Sequence, residues 1–271
     1  MSGTSWRVLV YEFLSAGGLV DEEADGLLPQ GIAMRDALAA DLLRSGDCDV
    51  TVATFDGATA PPAGCTALAP QRGEDGIEFV ARLARRCDAV WVIAPESDGL
   101  LAAFERAARG KARWLGCEAG AIALASSKAA TVERLHERGI ATPLHEAFAA
   151  APRWVVKPDD GAGAVATRVH GGCAAALADL RARTGAAWAE PWVDAQALSL
   201  SLLCGVAGVE LLSVNHQHIA IDHAGAVRYE GVSIDAMQRG SARWRTLAAM
   251  ADRIADALPG LRGFVGVDLV W

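Results

Sequence analysis

Short apolar runs alternate with longer segments in which apolar residues recur every three or four positions. Three apolar runs predict buried strands, at residues 7–11, 49–54 and 89–94. Three periodic segments predict amphipathic helices, at residues 31–44, 77–86 and 100–109. Strands that alternate with helices indicate a parallel sheet with helical crossovers. We therefore expect a small Rossmann-like domain over residues 1–120.

After residue 120 the strands follow one another more closely. A helix is predicted over 126–138, because Ser126 or Ser127 can cap its start and Gly139 can end it. Further helices are predicted at 173–183 and 243–258. Strands are predicted at 154–157, 167–170, 187–190, 198–204, 210–221 and 264–271. The pair at 198–204 and 210–221 is separated only by a glycine turn, which indicates antiparallel pairing.

One strand ends in a lysine and leads directly into a loop of small residues. Lys157 closes the apolar run, and Asp160, Gly161, Ala162 and Gly163 follow. A lysine supplies a cation, and a loop with small side chains lets backbone N–H groups approach phosphate oxygens. Residues 161–166 also fit the dinucleotide pattern G-x-G-x-x-A. However, residues 167–170 predict a strand where that pattern requires a helix, so a Rossmann crevice is disfavoured. A hairpin tip with a surface lysine remains the alternative.

Composition and charge narrow the class of protein. The 271 residues are 52% hydrophobic with a net charge of −8 and no basic stripe, so nucleic acid is not an expected partner. No apolar run reaches eighteen residues and the start lacks the pattern of a signal peptide, so we expect no membrane association and a cytoplasmic location. The six cysteines show no C-x-x-C spacing, which favours reduced thiols.

Other chemistries are less well supported. His216, His218 and His223 suggest an open zinc site, since residues i and i+2 of a strand share a face. The segment looks like an edge or surface strand, where histidines are usually only hydrogen-bonded. Neither the P-loop pattern nor a nucleophile elbow occurs.

Four features occur in an order that suits a nucleoside triphosphate. Lys128 opens a helix, where a cation opposes the helix dipole and is not placed for helix stability. Lys157 precedes the small-residue loop, and Glu190 begins a connector that can offer backbone groups to adenine. Asp268 is the only charge in the last apolar strand, where a carboxylate is costly unless it is paired or binds a cation.

This order resembles the ATP-grasp superfamily. The segments that carry the resemblance are 127–131, 139–143, 155–158, 160–163, 190–193 and 263–270. The resemblance implies an α/β protein with an ATP-grasp fold of two α+β subdomains, preceded by the Rossmann-like domain. The first subdomain would span residues 121–186 and contain the glycine loop. The second would span residues 187–271.

The resemblance also implies ligands and site residues. ATP and Mg²⁺ are the implied cofactors. The implied ATP contacts are Lys128, Lys157, Asp160, Gly161, Ala162, Gly163, Glu190, Pro191, Trp192, Val193 and Asp194. Asp268 is the implied Mg²⁺ ligand. On the substrate side the implied residues are Glu12, Ser15, Gly17 and Gly18.

The implied reaction is the ligation of a carboxylate to an amine. ATP phosphorylates the carboxylate, and the amine attacks the acyl phosphate to form an amide. Within the superfamily, residues 11–13, 17–19, 93–96 and 212–215 resemble the tyramine–glutamate ligases of methanofuran-type cofactor synthesis. We therefore expect small-molecule carboxylate and amine substrates, with an amino acid such as glutamate as the carboxylate. A homodimer is one possible assembly of the protein.

The chain departs from the family pattern in three places. Gln196 or Ala197 stands where relatives carry a ribose-binding carboxylate, for which Asp194 is the candidate substitute. His216 stands where relatives carry arginine. The family supplies a further Glu and Asn as metal ligands beyond the strand of Asp268, and the sequence as given stops at Trp271. A nucleotide-binding protein with little or no catalysis is therefore the alternative hypothesis.

Overall fold

The computed structural model describes residues 5–18, 22–55, 58–145, 151–161 and 163–271. The chain forms two compact units, Met1–Gly116 and Cys117–Trp271.

The first unit contains a five-stranded parallel sheet. Its strands are β1 (Trp6–Glu12), β2 (Cys48–Ala53), β3 (Thr66–Leu68), β4 (Ala89–Ile93) and β5 (Arg113–Trp114). Its helices are α1 (Glu22–Arg44), α2 (Gly76–Leu83) and α3 (Leu100–Ala108), with a 3-10 turn at Ser97–Gly99 before α3. The spatial strand order is β3-β2-β1-β4-β5, and every pairing is parallel.

Strand β1 is buried on both faces because helices cover both sides of the sheet. Its residues Leu9 and Tyr11 pack in one cluster with Phe79 of α2 and with α3. Val10 faces the other side, where it packs with residues of α1 and β2. Burial on both faces explains why this strand is a continuous apolar run without alternation.

The second unit contains two antiparallel sheets. Its strands are β6 (Trp154–Pro158), β7 (Arg168–His170), β8 (Ala187–Pro191), β9 (Ala197–Gly205), β10 (Gly208–Ile221), β11 (Val227–Ser233) and β12 (Gly263–Val270). Its helices are α4 (Ala119–Ala125), α5 (Lys128–Glu137), α6 (Cys173–Ala182) and α7 (Ala242–Ala257), with a 3-10 turn at Pro143–His145. The small sheet has the order β7-β6-β8, and the large sheet has the order β11-β10-β9-β12.

The large sheet has one apolar and one polar face. Leu198, Leu200 and Leu202 alternate along β9 and pack in the same cluster as Leu247 and Ile254 of α7. The residues between them face the other way. There, the register places Ser199 of β9 between Asn215 of β10 and Asp268 of β12, so polar side chains share the open face.

The predicted α/β organisation is confirmed, with a parallel sheet followed by antiparallel sheets. The sequence analysis missed strands β3, β5 and β11 and helix α4. Strands β3 and β5 are only three and two residues long, and β3 is exposed, so neither carries a periodic signal. Helix α4 is mostly alanine, which gives no contrast between apolar and polar positions.

One boundary differs from the predictions. Helix α1 begins at Glu22 instead of residue 31 and continues through Pro29. The predicted ends of helix α5 are confirmed, because Ser127 caps its start at Lys128 and Gly139 follows its end with a positive φ of 67°. Strand β10 was expected to be an edge or surface strand: it is not an edge, since it pairs with both β9 and β11, but its residues His218 and Ile219 are exposed at the surface.

Candidate functional site

Lys157, Glu190 and Trp188 form a hydrogen-bonded group on one face of the small sheet. The register pairs Lys157 with Trp188 and Val155 with Glu190, so the three side chains point to the same side. Lys157 Nζ lies 2.6 Å from Glu190 Oε1, and Trp188 Nε1 donates to Glu190 Oε2 at 2.8 Å. Glu190 is buried, with 5% of its surface exposed. Both of its oxygens are therefore engaged, and the ammonium of Lys157 is fixed in position.

Lys128 binds the backbone of the glycine loop. Its Nζ donates to the carbonyl oxygens of Asp160 at 2.7 Å and Gly161 at 2.8 Å, with a longer contact of 3.4 Å to Asp159. Three carbonyl groups thus converge on one ammonium. Because phosphate oxygens are stronger acceptors for an ammonium than neutral carbonyls, a bound polyphosphate could replace them.

Asp159 connects the strand that carries Lys157 to the helix that carries Lys128. Its Oδ1 accepts the backbone N–H of Ala129 at 2.8 Å, and its carbonyl accepts the N–H of Lys128 at 2.8 Å. Ser127 Oγ accepts the next donor, the N–H of Ala130, at 3.1 Å. A carboxylate at this position also suits the positive end of the helix dipole. This contact holds the two lysines in one site.

The loop after Asp160 has an unusual backbone. Gly161 and Gly163 have φ of 79° and 70°, and Ala164 and Ala166 also have positive φ, 60° and 50°. An alanine in this left-handed region costs about 1–2 kcal/mol, a strain that is frequent in loops that clamp ligands. Ala162 lies outside the described residues. The loop ends at Thr167, whose carbonyl accepts the N–H of Val227 at 3.0 Å.

Asp268 lies on the open face of the large sheet and contacts Gln217. Gln217 Nε2 donates to Asp268 Oδ1 at 2.8 Å. Although the residue remains accessible, the surrounding protein removes part of the hydration of the carboxylate and raises its pKa. The hydrogen bond from Gln217 and the charges of Lys157 and Lys128 act in the opposite direction. The charges of the two lysines therefore reach Asp268, although its hydrogen bond is to Gln217.

The connector after β8 is held by Arg153. The backbone N–H of Trp192 donates to the carbonyl of Arg153 at 3.0 Å. Trp192 Nε1 donates to Asp194 Oδ1 at 2.9 Å, Arg153 forms an ion pair with Asp194, and its guanidinium lies 5.6 Å from the centre of the Trp192 ring. Trp192 also packs against Val155 in an apolar cluster on the lysine side of the small sheet. Such a surface is suitable for a flat aromatic base.

Pro191 and Val193 flank Trp192 in this connector. Pro191 is the last residue of β8 and pairs with Trp154, and it is buried. Val193 is half-buried. Asp194 is well exposed and already has two partners, so its predicted role in ribose binding stays a prediction.

The predicted substrate residues lie in the first unit, at the carboxyl end of β1. Glu12 and Ser15 are buried, with 2% and 0% of their surface exposed. The Glu12 carboxylate accepts the backbone N–H of Leu14 at 3.2 Å and of Ser15 at 2.7 Å, so it stabilises its own loop. Gly17 is half-buried with a φ of 82°, and Gly18 packs on the Phe13 ring. Their role in substrate binding stays a prediction.

The histidine trio does not form a metal site in the part of the chain that the structure describes. His218 is exposed and its Nε2 hydrogen-bonds Ser233 at 2.8 Å, while the His216 ring packs edge-on against it. Among the described residues there is no group of three or more His, Cys, Asp or Glu side chains placed to hold a metal. The zinc hypothesis is therefore not supported.

The sequence analysis missed Trp188, Gln217, Asp159 and Arg153. Trp188 could have been found, because it stands two residues before Glu190 on the same strand face. The role of Gln217 depends on the pairing of β9, β10 and β12, which no local pattern specifies.

None of the helices in the described ranges has the length and apolar character needed to cross a bilayer.

Two known protein-family models match the chain. A family model described as an ATP-grasp domain matches residues 125–271, and one described as a pre ATP-grasp 3 domain matches residues 48–122. No match was found among curated protein sequences.

Solved structures share the fold at low sequence identity. An ATP-grasp superfamily protein from Archaeoglobus fulgidus superposes with a TM-score of 0.69 at 23% identity. The match covers 98% of this chain and 77% of the Archaeoglobus fulgidus chain. An L-amino acid ligase from Bacillus licheniformis gives 0.66 at 16% identity, with 99% of this chain and 64% of that ligase covered. D-alanine–D-alanine ligase from Bacillus anthracis, complexed with ATP, gives 0.63 at 12% identity, with coverages of 98% and 82%. The chain thus spans less than two thirds of the length of the Bacillus licheniformis ligase.

Proposed function

Because this chain belongs to the ATP-grasp domain family, we propose that it is an ATP-dependent ligase that joins a carboxylate to an amine. The observation that carries the proposal is the geometry of two lysines at the glycine loop: Lys157 is held by the buried Glu190, and Lys128 donates to the carbonyls of Asp160 and Gly161. Two fixed ammonium groups suit the phosphate oxygens of a triphosphate. The structure of an ATP complex with the same fold, D-alanine–D-alanine ligase, supports the choice of nucleotide.

In this proposal each part of the site has a separate task. Lys157, held by Glu190, and Lys128 neutralise phosphate oxygens, and Lys128 exchanges its loop carbonyls for phosphate. The backbone of residues 160–163 covers the phosphates. Glu190, Pro191, Trp192 and Val193 contact adenine on the apolar face formed by Trp192 and Val155, and Asp194 contacts the ribose. Fixed charges lower the barrier because they do not reorganise during the reaction.

Asp268 fits a role as a magnesium ligand. Its carboxylate is accessible, carries the hard oxygens that Mg²⁺ prefers, and lies within electrostatic range of the two lysines. Mg²⁺ commonly takes only one or two protein carboxylates, together with waters and substrate phosphates. Bound there, the ion would neutralise charge on the phosphates. Gln217 would orient the carboxylate through its 2.8 Å hydrogen bond.

The proposed reaction has two balanced steps. A carboxylate oxygen of the first substrate attacks the γ-phosphorus of ATP, and ADP leaves with the electron pair of the broken P–O bond. The amine nitrogen then attacks the acyl carbon, inorganic phosphate leaves, and the nitrogen loses a proton. The contribution of the protein is to position the reactants and to neutralise charge.

We further propose an amino acid such as glutamate as the carboxylate and a methanofuran-type cofactor intermediate as the amine. The support is the resemblance of residues 11–13, 17–19, 93–96 and 212–215 to tyramine–glutamate ligases. Glu12, Ser15, Gly17 and Gly18 would shape the substrate side, with the buried Glu12 carboxylate fixing the loop. We also propose that the second unit consists of two ATP-grasp subdomains, which meet between residues 186 and 187.

A nucleotide-binding protein with little catalysis is the second candidate. The observation that favours it is that Asp268 belongs to no cluster of three metal-binding side chains among the described residues. Such a protein would bind ATP through the same lysines without forming a product.

Amine-dependent phosphate release from ATP tests the proposal. The full chain is assayed with a panel of amino acids and amines in the presence of Mg²⁺, with detection of the amide by mass spectrometry. We expect Lys157→Met to abolish release. Lys111→Met is the matched control, because Lys111 also donates to a backbone carbonyl, that of Ala107, but lies in the first unit. ATP binding without amine-dependent release would support the second candidate and overturn the first.

A further inference from the structure

We propose that a cavity on the helix side of the small sheet binds a small oxyanion, either a phosphate or a carboxylate. The cavity has a volume of about 410 Å³ and lies between β7, α6 and the hairpin of β10 and β11. Its polar lining consists of Thr167, Arg168, His170, Asp179 and Arg183. This site is separate from the proposed nucleotide site, and the inference does not depend on the proposed function.

The two sites lie on opposite faces of the small sheet. The register pairs Val169 with Val155, and both pack in the apolar cluster on the face that carries Lys157. Arg168 and His170 alternate with Val169 along β7 and therefore point to the other face. There they lie beside α6, the helix that carries Asp179 and is capped at its end by Arg183.

The charge of the lining is positive. Asp179 is its one carboxylate, and it is already shared between Arg183, at 3.1 Å and 3.3 Å, and His170, at 2.9 Å. Arg183 and then His170 lower the pKa of Asp179, so it is ionised at neutral pH. Arg168 is exposed and forms no ion pair or hydrogen bond through its side chain within the described ranges. One guanidinium thus remains without a counterion.

Arg183 presents a donor that is already oriented. It bonds Asp179 through Nε and Nη2, and Nη2 also approaches the Val156 carbonyl, which leaves Nη1 without a partner among the described residues. Because the ionised Asp179 can only accept, His170 donates its Nε2–H to it, and Nδ1 of the neutral ring is an acceptor that offers an anion no hydrogen bond. The side chains of Arg183 and His170 are only 17% and 15% exposed. Because Asp179 fixes Arg183 in advance, an anion would lose little entropy in ordering this guanidinium. Guanidinium groups match the geometry of phosphate and carboxylate oxygens.

The backbone around the cavity is also well fixed. Val169 N–H donates to the Gly225 carbonyl at 2.8 Å, and Val227 N–H donates to the Thr167 carbonyl at 3.0 Å. These bonds join β7 to the hairpin turn. The backbones of Arg168 and Ala226 form an antiparallel β-bridge at the same place. The cavity wall is therefore held by backbone hydrogen bonds that a change of the Arg168 side chain leaves intact.

Thermal melting of the full chain with increasing inorganic phosphate, and separately with succinate, tests the proposal. Each titration is run with and without ADP, so that phosphate at the proposed nucleotide site is distinguished from phosphate in this cavity. We expect a saturable rise in Tm with at least one of the two anions, retained when ADP is present. Which anion stabilises the protein identifies the chemical class of the ligand.

Arg168→Gln should weaken the binding of the anion about tenfold or more, since it removes a charge-assisted contact. The matched control is Arg181→Gln, because Arg181 lies on α6, is exposed like Arg168 and does not line the cavity. In NMR spectra, the His170 imidazole signals, assigned with His170→Gln, should shift as the anion is added. The proposal is overturned if neither anion gives a saturable effect, if Arg168→Gln and Arg181→Gln behave alike, or if ADP abolishes the effect.

Discussion

The ammonium of Lys157 lies 2.6 Å from Glu190 Oε1, and the other oxygen of this buried carboxylate accepts the indole N–H of Trp188. The proposed phosphate-binding lysine is thus oriented by a side chain from a neighbouring strand. A carboxylate with both oxygens engaged holds the ammonium in one geometry. That geometry determines where a phosphate can be neutralised.

Removing the lysine alone should destabilise the protein, because it leaves a buried carboxylate without its cation. We expect Lys157→Met to lower the free energy of unfolding by about 1–3 kcal/mol. The double variant Lys157→Met with Glu190→Gln should recover most of this loss, since the amide oxygen still accepts the Trp188 N–H. Activity should remain absent in both. Denaturant-induced unfolding measures the stability of the wild type and of each variant. A double variant as unstable as Lys157→Met alone would contradict the pairing of Lys157 with Glu190.

Trp188→Phe should impair ATP binding without any direct contact to the nucleotide. It leaves Glu190 Oε2 buried and without a donor, at a cost of about 1–3 kcal/mol, and frees the carboxylate to move with Lys157. We expect a severalfold rise in KM for ATP and a smaller change in kcat. Trp6→Phe is the control, because Trp6 is 46% exposed on β1 of the first unit. Equal KM values for Trp188→Phe and wild type would refute a positioning role.

Asp268→Asn should increase stability at neutral pH while it removes activity. Because the loss of part of its hydration raises the pKa of Asp268 above its ordinary value of 3.8, there is a pH range in which the native state retains a proton that the unfolded chain has released. The ionised carboxylate therefore lowers stability. This penalty grows as the pH rises from the unfolded pKa through the folded one, and it is absent below both. We expect a higher Tm for the variant than for wild type at about pH 7. The two Tm values should become equal at about pH 3.

The activity of Asp268→Asn should fall about 100-fold or more if the carboxylate holds Mg²⁺. Asp252→Asn is the control, because Asp252 is an exposed carboxylate on α7. A variant that keeps the Mg²⁺ dependence of wild type would remove Asp268 from the metal site.

Lys128→Met should loosen the glycine loop in the absence of nucleotide. The side chain of Lys128 donates to the carbonyls of Asp160 and Gly161, and each hydrogen bond to a charged group contributes about 1.5–3 kcal/mol. We expect amide hydrogen exchange in the loop to accelerate about tenfold or more. Lys111→Met, which breaks a lysine–carbonyl bond elsewhere, should leave the loop unchanged. Unchanged exchange in Lys128→Met would mean that the loop is held by its own backbone.

The sequence by itself determined the elements whose signal is local. Continuous apolar runs predicted β1, β2 and β4, and the serine and glycine around 127–139 predicted both ends of α5. Lys128, Lys157, Glu190 and Asp268 were also chosen from sequence, because a cation at a helix start or a lone carboxylate in an apolar strand departs from what stability alone favours. Elements with weak or no periodicity, such as β3, β5 and α4, left no such signal.

Only the tertiary structure decided which side chains these residues meet. Gln217 and Asp268 are 51 positions apart, and Lys157 and Glu190 are 33 apart. Their contacts depend on strand register, and a shift of one residue would move each side chain to the opposite face. The same holds for the cavity beside His170 and Arg183, which exists because α6 packs on one face of the small sheet while Lys157 occupies the other. Register and packing are set by the whole core, so no local pattern specifies them.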